Sequence, residues 1–292
     1  MKNIELWQGD CLELMSNIPD KSVDFILCDL PYGTTRCKWD TVIRFKPLWK
    51  QYNRIVKDNG AICLFGSEPF ASKLRLSNLK MYKYDWVWRK PKGVGHLNSK
   101  IQPMRDVETI SVFYKKQCNY FPQYSKGEPY SALKSGRKTK VCEAGQTIYG
   151  RFYDGAEYKN DNAGFRYPKQ VIEFGVVERG TLHPTQKPVK LLEYLIKTYT
   201  TEGEVVLDNC MGSGSTGVAC RNLNRKFIGI ELDKAYFEIA KNRIEQGGIK
   251  CREIGQEIRK QSILHWLHQT IHKLIERTTT ITQLRLKLLK NY

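Results

Sequence analysis

The chain has 292 residues, a length that suits one large α/β domain carrying an insertion, or one domain and a small appendage. Hydrophobic residues make up 41% of it with no apolar run near membrane-spanning length, and its start, Met1-Lys2-Asn3-Ile4-Glu5, lacks a secretory core, so a soluble, cytoplasmic protein with no membrane partner is expected. Lys and Arg outnumber Asp and Glu by 48 to 30, a net charge of +18, which is the balance of a protein that meets polyphosphate. Nine scattered cysteines include no Cys-x-x-Cys pair, so neither zinc nor dithiol chemistry is expected.

In chain order, short β-branched and aromatic runs mark strands at Ile4–Gln8, Val23–Cys28, Ala61–Phe65, Tyr84–Trp88, Thr109–Tyr114, Val205–Leu207 and Phe227–Ile230, most of them separated by helix-like stretches. That alternation predicts an α/β fold with a doubly wound, mostly parallel, Rossmann-like sheet. No helix separates the Tyr84 and Thr109 runs, so part of the sheet is open to antiparallel pairing. From Lys115 to Gly180 the periodicity breaks down into Gly, Tyr, Lys and Ser, the pattern of an inserted recognition region. Residues 81–140 carry a net charge of +9 together with Trp86, Trp88, Tyr114, Tyr120, Phe121, Tyr124 and Tyr130. Cations for phosphates and aromatic faces for bases favour a nucleic-acid partner, against the plainer reading of a solvated basic face over core aromatics. After His183-Pro184-Thr185-Gln186-Lys187-Pro188, the residues Leu191, Leu192, Leu195, Ile196 and Tyr199 fall on one helical face, and a second helix is expected from about Ala235 to Arg243.

Two segments carry chemistry. Val23 to Cys28 delivers Asp29, Leu30, Pro31 and Tyr32 to the carboxyl end of a buried strand, the edge where open α/β sheets bind ligands. An aromatic amine is a poor nucleophile because its lone pair is delocalised. Two acceptors for its N–H groups, the Asp29 carboxylate and the Leu30 carbonyl, help to localise that pair, while Tyr32 offers a face for a base drawn out of its helix. Taken alone, Asp-x-Pro-Tyr is as readily an ordinary strand-ending turn. The second segment, Val205 to Gly217, runs from a strand into the glycine-rich turn Gly212-Ser213-Gly214 that opens a helix. Gly212-x-Gly214-x-x-Gly217 with Glu231 downstream also fits a dinucleotide fingerprint, so a nicotinamide-dependent oxidoreductase stays open at this point. Asp208 tilts the reading, since a carboxylate there would repel a pyrophosphate and attract an ammonium.

Asp29-Leu30-Pro31-Tyr32, the segment from His183 to Pro188, Asp208 to Gly214 and Glu231 together resemble, in that order, the permuted or beta class of DNA amino-methyltransferases, over about Ile4 to Ile244. The resemblance implies a seven-stranded Rossmann-like sheet, S-adenosylmethionine as methyl donor, double-stranded DNA as substrate and no metal. It divides the chain into a catalytic half at 1–116, a target-recognition insertion at 117–180 and a cofactor-binding half at 181–247, with a basic helical tail at 248–292 left outside the resemblance. It makes Asp29, Leu30, Pro31 and Tyr32 the catalytic segment. Asp208, Gly212, Ser213 and Gly214 would cradle the cofactor's methionine part and Glu231 its ribose, with Asp10 and Cys11 near its adenine and Thr185 and Lys187 near its carboxylate. Leu30 stands where proline is frequent, which costs little when only the carbonyl is used, and Ser215 keeps the hydroxyl of the commoner threonine. An acid at the first catalytic position goes with adenine N6, and serine with cytosine N4, so Asp29 points to adenine. His265, His268 and His272 share a helical face without a carboxylate or cysteine at ligand spacing and read as the edge of an apolar stripe. The tail has three open readings: a homodimer contact, an added DNA-binding element, or an end without a role.

Overall fold

The computed structural model describes residues 3–34, 40–128, 130–132, 160–162, 164–176 and 186–246. Thr185, the three tail histidines and the rest of the tail lie outside the described residues. In chain order the elements are β1 (Ile4–Gln8), α1 (Cys11–Leu14), β2 (Val23–Cys28), α2 (Phe45–Ile55), β3 (Val56–Gly66), α3 (Phe70–Ser77), β4 (Tyr82–Val94), β5 (Arg105–Phe113), β6 (Ser125–Lys126), β7 (Tyr130–Ala132), β8 (Asn160–Asn162), β9 (Phe165–Arg166), β10 (Val171–Glu173), α4 (Val189–Tyr199), β11 (Val205–Asp208), α5 (Ser215–Asn222), β12 (Lys226–Glu231) and α6 (Lys234–Glu245).

Two compact units result. The larger comprises Met1–Tyr120 and Val171–Tyr292, the smaller Phe121–Gln170. An eight-stranded sheet, one strand more than the resemblance implies, organises the larger unit in the order β1-β12-β11-β2-β3-β5-β4-β10. The extra strand is β10, which pairs in parallel with β4 at the sheet edge. Only β5 runs against its neighbours β3 and β4, which accounts for the missing helix between the two runs that flank it.

The side-chain period of two gives each strand two destinations. On β2, wholly buried, Phe25 and Leu27 join a core with Leu191, Leu195, Ile196 and Tyr199 of α4, while Ile26 and Cys28 join a second core with Leu48, Trp49, Tyr52 and Ile55 of α2. Trp86 and Trp88, grouped at the level of sequence with aromatics for base stacking, belong instead to the first core. Their indole N–H groups donate to Tyr199 Oη at 2.7 Å and to the Phe174 carbonyl at 2.9 Å. The i, i+2 spacing puts both on one sheet face, where burial of a large apolar ring outweighs exposure to a polar partner.

In the smaller unit β6 pairs with β9 and β7 with β8, both antiparallel. Tyr124, half exposed, packs edge-on to Phe165 and Tyr167, with ring centroids 6.1 and 4.9 Å away.

Candidate active site

The sheet order puts β11, from the second half of the sequence, directly beside β2, from the first half, in the middle of the parallel part of the sheet. Their carboxyl ends, with those of β1 and β12, open into a cleft of about 820 Å³. Asp10, Cys11, Asp29, Leu30, Pro31, Tyr32, Lys187, Asp208, Gly212, Ser213 and Glu231 all line it. Gly214 does not. It caps α5 with φ +77°, and a Cβ there would lie 2.9 Å from that of Ala240, so its backbone freedom serves the packing of α5 on α6.

A buried network surrounds Asp29. Lys187 Nζ donates to Asp29 Oδ2 at 2.5 Å and pairs with Glu108 Oε1 at 3.0 Å, and Lys90 Nζ holds Glu108 Oε2 at 2.9 Å. The Tyr32 hydroxyl lies 2.6 Å from Asp29 Oδ1 and 3.0 Å from Glu108 Oε1, and its ring stacks on Phe70 with centroids 4.8 Å apart. Two carboxylates and two ammoniums balance, which is the condition for keeping such charges out of water. Burial drives the Asp29 carboxyl above the usual range, opposed by Lys187 and reinforced by the Glu108 charge. Burial also penalises ionised Glu108, but Lys187 and Lys90 override it and hold that carboxyl at about 2. Lys187 is raised despite burial, because both acids face it. The turn after Tyr32 is fastened by Asp40, whose carboxylate accepts from Gly33 N at 2.8 Å and Thr34 N at 2.9 Å. Gly33 at φ +69° permits the reversal.

At the other end of the cleft, acids terminate three neighbouring strands: Asp10 after β1, Glu231 on β12 and Asp208 on β11. Asp208 is buried and accepts from Thr216 Oγ1 at 2.6 Å and Cys210 N at 3.1 Å, and burial pushes it up to about 6. Glu231 accepts from Gly212 N at 2.8 Å and Asp233 N at 2.9 Å, and burial raises its carboxyl too. Asp10 caps α1 by accepting from Leu12 N at 2.7 Å. Each carboxylate has about four lone-pair sites, so acceptors remain for a ligand. Three acids in a row repel a diphosphate and suit a cation rich in N–H and O–H donors, which is the donor set of S-adenosylmethionine: ammonium, ribose hydroxyls and adenine amine.

The profile of a family described as DNA methylase matches residues 23–242, three quarters of the chain and every segment lining this cleft except that after β1. The chain belongs to this DNA methylase family. Among curated relatives, the type II methyltransferase M2.MboI of Moraxella bovis is 26% identical over 287 residues, covering 89% of this chain and 94% of the relative. M.HpaI of Haemophilus parainfluenzae is 26% identical, covering 81% and 73%. Among solved structures, the M1.HpyAVI–SAM complex superposes with a TM-score of 0.55 at 27% identity, covering 82% of this chain and 99% of that one. The cytosine-N4-specific PvuII DNA methyltransferase gives 0.59 at 17% identity over 87% and 90%, a likeness of fold. S-adenosylmethionine is the methyl donor of the family, and DNA is the substrate of this methylase.

Lys187 is engaged elsewhere than the resemblance implies: its ammonium is bound between Asp29 and Glu108 rather than left for the cofactor's carboxylate. Glu108, Lys90 and Asp40 were not singled out from the sequence. An acid just before an apolar strand reads as a surface residue, and only the pairing of Glu108 with Trp88 across β5 and β4 brings it inside. Among the described residues no group of three metal-ligating side chains comes together, and no helix is long and apolar enough to cross a membrane.

Proposed function

We propose that this methylase modifies adenine N6 at specific sites in double-stranded DNA, in the cytoplasm, on a base withdrawn from the duplex. The observation that carries the proposal is the placement of Asp29 and Leu30 at the end of β2, in one cleft with the acid-terminated strands β1, β11 and β12. Asp29 uses two lone-pair sites on Lys187 and Tyr32, which leaves others for one N–H of the amine, and the Leu30 carbonyl takes the second. Bound S-adenosylmethionine supplies an electrophilic methyl group on sulfur. Held by these two acceptors, the amine nitrogen would take that methyl as its bond to sulfur breaks to leave S-adenosylhomocysteine, and would release one N–H proton to solvent, with positioning and fixed charge supplying the acceleration. Phe70 covers one face of Tyr32, so the base stacks on the other, which stacking makes worth roughly 1–3 kcal/mol. Asp208 meets the cofactor's ammonium, Glu231 its ribose, Asp10 and Cys11 its adenine, with Gly212 and Ser213 giving close backbone approach.

The test is to incubate the protein with unmethylated genomic DNA and methyl-labelled S-adenosylmethionine, then digest to nucleosides for mass spectrometry. N6-methyladenine is the expected product. N4-methylcytosine would overturn the choice of base, and unlabelled DNA would overturn the proposal.

Cofactor affinity has a predicted pH dependence. Asp208 protonates at about 6 in the free protein, and only its ionised form attracts an ammonium. Calorimetric affinity for S-adenosylhomocysteine, which keeps that ammonium, is therefore level above about pH 6.5 and falls below 6, approaching tenfold per unit. Asp208→Asn flattens the profile; an unchanged profile would remove Asp208 from the cofactor site.

A further inference from the structure

Between its sheet-bound portions, the β4–β5 connection projects as an arm. Every described residue from Val94 to Val107 is exposed. Its tip is built rather than slack: Gly95 takes φ +92°, Asn98 N donates to the Gly95 carbonyl at 3.0 Å, and Ile101 N and Gln102 N both donate to the Asn98 carbonyl at 3.0 Å. The limbs lie close, since a Cβ on Gly93 would be 2.9 Å from that of Met104. This turn displays two large aliphatic side chains, Leu97 at 87% and Ile101 at 84% exposure. Aliphatic side chains presented on a hydrogen-bonded turn favour removal from water.

Charge selects what covers them. From Arg89 to Val107 the arm carries Arg89, Lys90, Lys92, Lys100 and Arg105 against Asp106 alone, and with Lys90 held by Glu108 and Arg89 by Glu173 an excess of positive charge still remains on it. A second copy of the arm repels it, and so does the tail, residues 251–292, with eight Lys and Arg against three Glu. A polyanion does not. The arm's base is also a wall of the cleft, because Lys92, Val94, Arg105 and Val107 line the same space as Asp29. A nucleotide strand that delivers a base to Asp29 passes along it.

We propose that residues 89–107 form the duplex-opening element of this methylase, with the basic limbs seated on backbone phosphates flanking the target base while Leu97 and Ile101 occupy the gap the base leaves in the stack. The inference rests on the reading that the base leaves the duplex. Apolar wedges beside cationic contacts are a recurrent way to hold unstacked DNA open.

The experiment uses the full chain. Mapping methylated sites in genomic DNA gives the target sequence, from which two oligonucleotide duplexes are made, one fully paired and one with an abasic residue opposite the target base. Leu97→Ser/Ile101→Ser is expected to slow methylation of the paired duplex at least tenfold, to act within about threefold of the unmodified protein on the abasic duplex, and to bind S-adenosylhomocysteine normally. Leu97→Met/Ile101→Met, which keeps the apolar bulk, is expected to restore the paired substrate. Lys100→Gln/Arg105→Gln should lower the slope of log affinity against log salt by about 2, at roughly 0.9 per phosphate contact. Equal loss on both duplexes would overturn the wedge, as would no loss on either. No loss combined with a smaller sedimentation coefficient would assign the tip to contact between copies and equally overturn it. Failure of the unmodified protein to methylate any DNA would refute the functional reading itself, a result separable from all of these.

Discussion

Asp29→Ala is expected to lower methyl transfer by about 10²–10³-fold or more, the range found when one preorganised polar contact to a reacting group is removed, while S-adenosylhomocysteine binds within about threefold of normal. The split follows from position. Asp29 ends β2 and belongs to the network of Glu108, Lys187 and Tyr32, whereas Asp208, Gly212 and Glu231 stand on β11, its turn and β12. Loss of the carboxylate leaves Lys187 its ion pair with Glu108, although two ammoniums then share one buried carboxylate, so a loss of stability accompanies the loss of transfer and unfolding is measured alongside it. Asp29→Asn keeps one carbonyl acceptor and the volume, and so should fall between the two. Single-turnover rates with calorimetry on the same preparations measure both quantities. Normal turnover by Asp29→Ala would remove Asp29 from the chemistry, and parallel loss of turnover and cofactor binding would assign it a structural role.

The chain order of strands and helices was legible because the sheet centre is buried on both faces. Val23–Cys28 read to the residue as a buried run broken only by Asp24, Ile4–Gln8 as a short run around Ile4, Leu6 and Trp7 at the sheet edge, and α4 from the stripe Leu191, Leu192, Leu195, Ile196 and Tyr199. Strand β10 was not, since Val171–Glu173 is three residues long with only Ile172 buried, too short for any periodicity to register. The same limit set the edge of the insertion: the compact unit ends at Gln170, and the residues after it return to the main sheet. Both chemical segments were legible because a strand followed by an acid, a turn and an aromatic or glycine cluster is a local pattern. Their support was not. Glu108 and Lys90 look like ordinary strand-flanking charges, and a partner such as Lys187, 158 positions from Asp29, is supplied by topology alone. Trp86 and Trp88 show the converse error, where composition suggested a nucleic-acid surface and alternation along β4 placed the rings in the core.

Lys187→Met is expected to be the most disruptive single change in this network. The ammonium lies between two buried carboxylates, and Met replaces its stem without its charge. Removing one partner from a buried ion pair costs about 3–5 kcal/mol, because the uncompensated charge stays behind. Denaturant unfolding at pH 8 should show a loss of that order. The sign of its pH dependence separates charge from packing. Without Lys187 the Asp29 carboxyl, already raised by burial and by Glu108, rises further. A carboxyl whose folded pKa exceeds its unfolded one destabilises above the folded value and ceases to do so as it protonates. The deficit of the variant should therefore shrink steadily as pH falls toward 5, whereas a deficit constant across that range would mean that Lys187 acts through packing. Activity does not recover with stability. A protonated Asp29 has exchanged an acceptor for an O–H donor and offers less to an amine that must donate to it, so the variant's stability deficit is smallest where it is least able to transfer a methyl group.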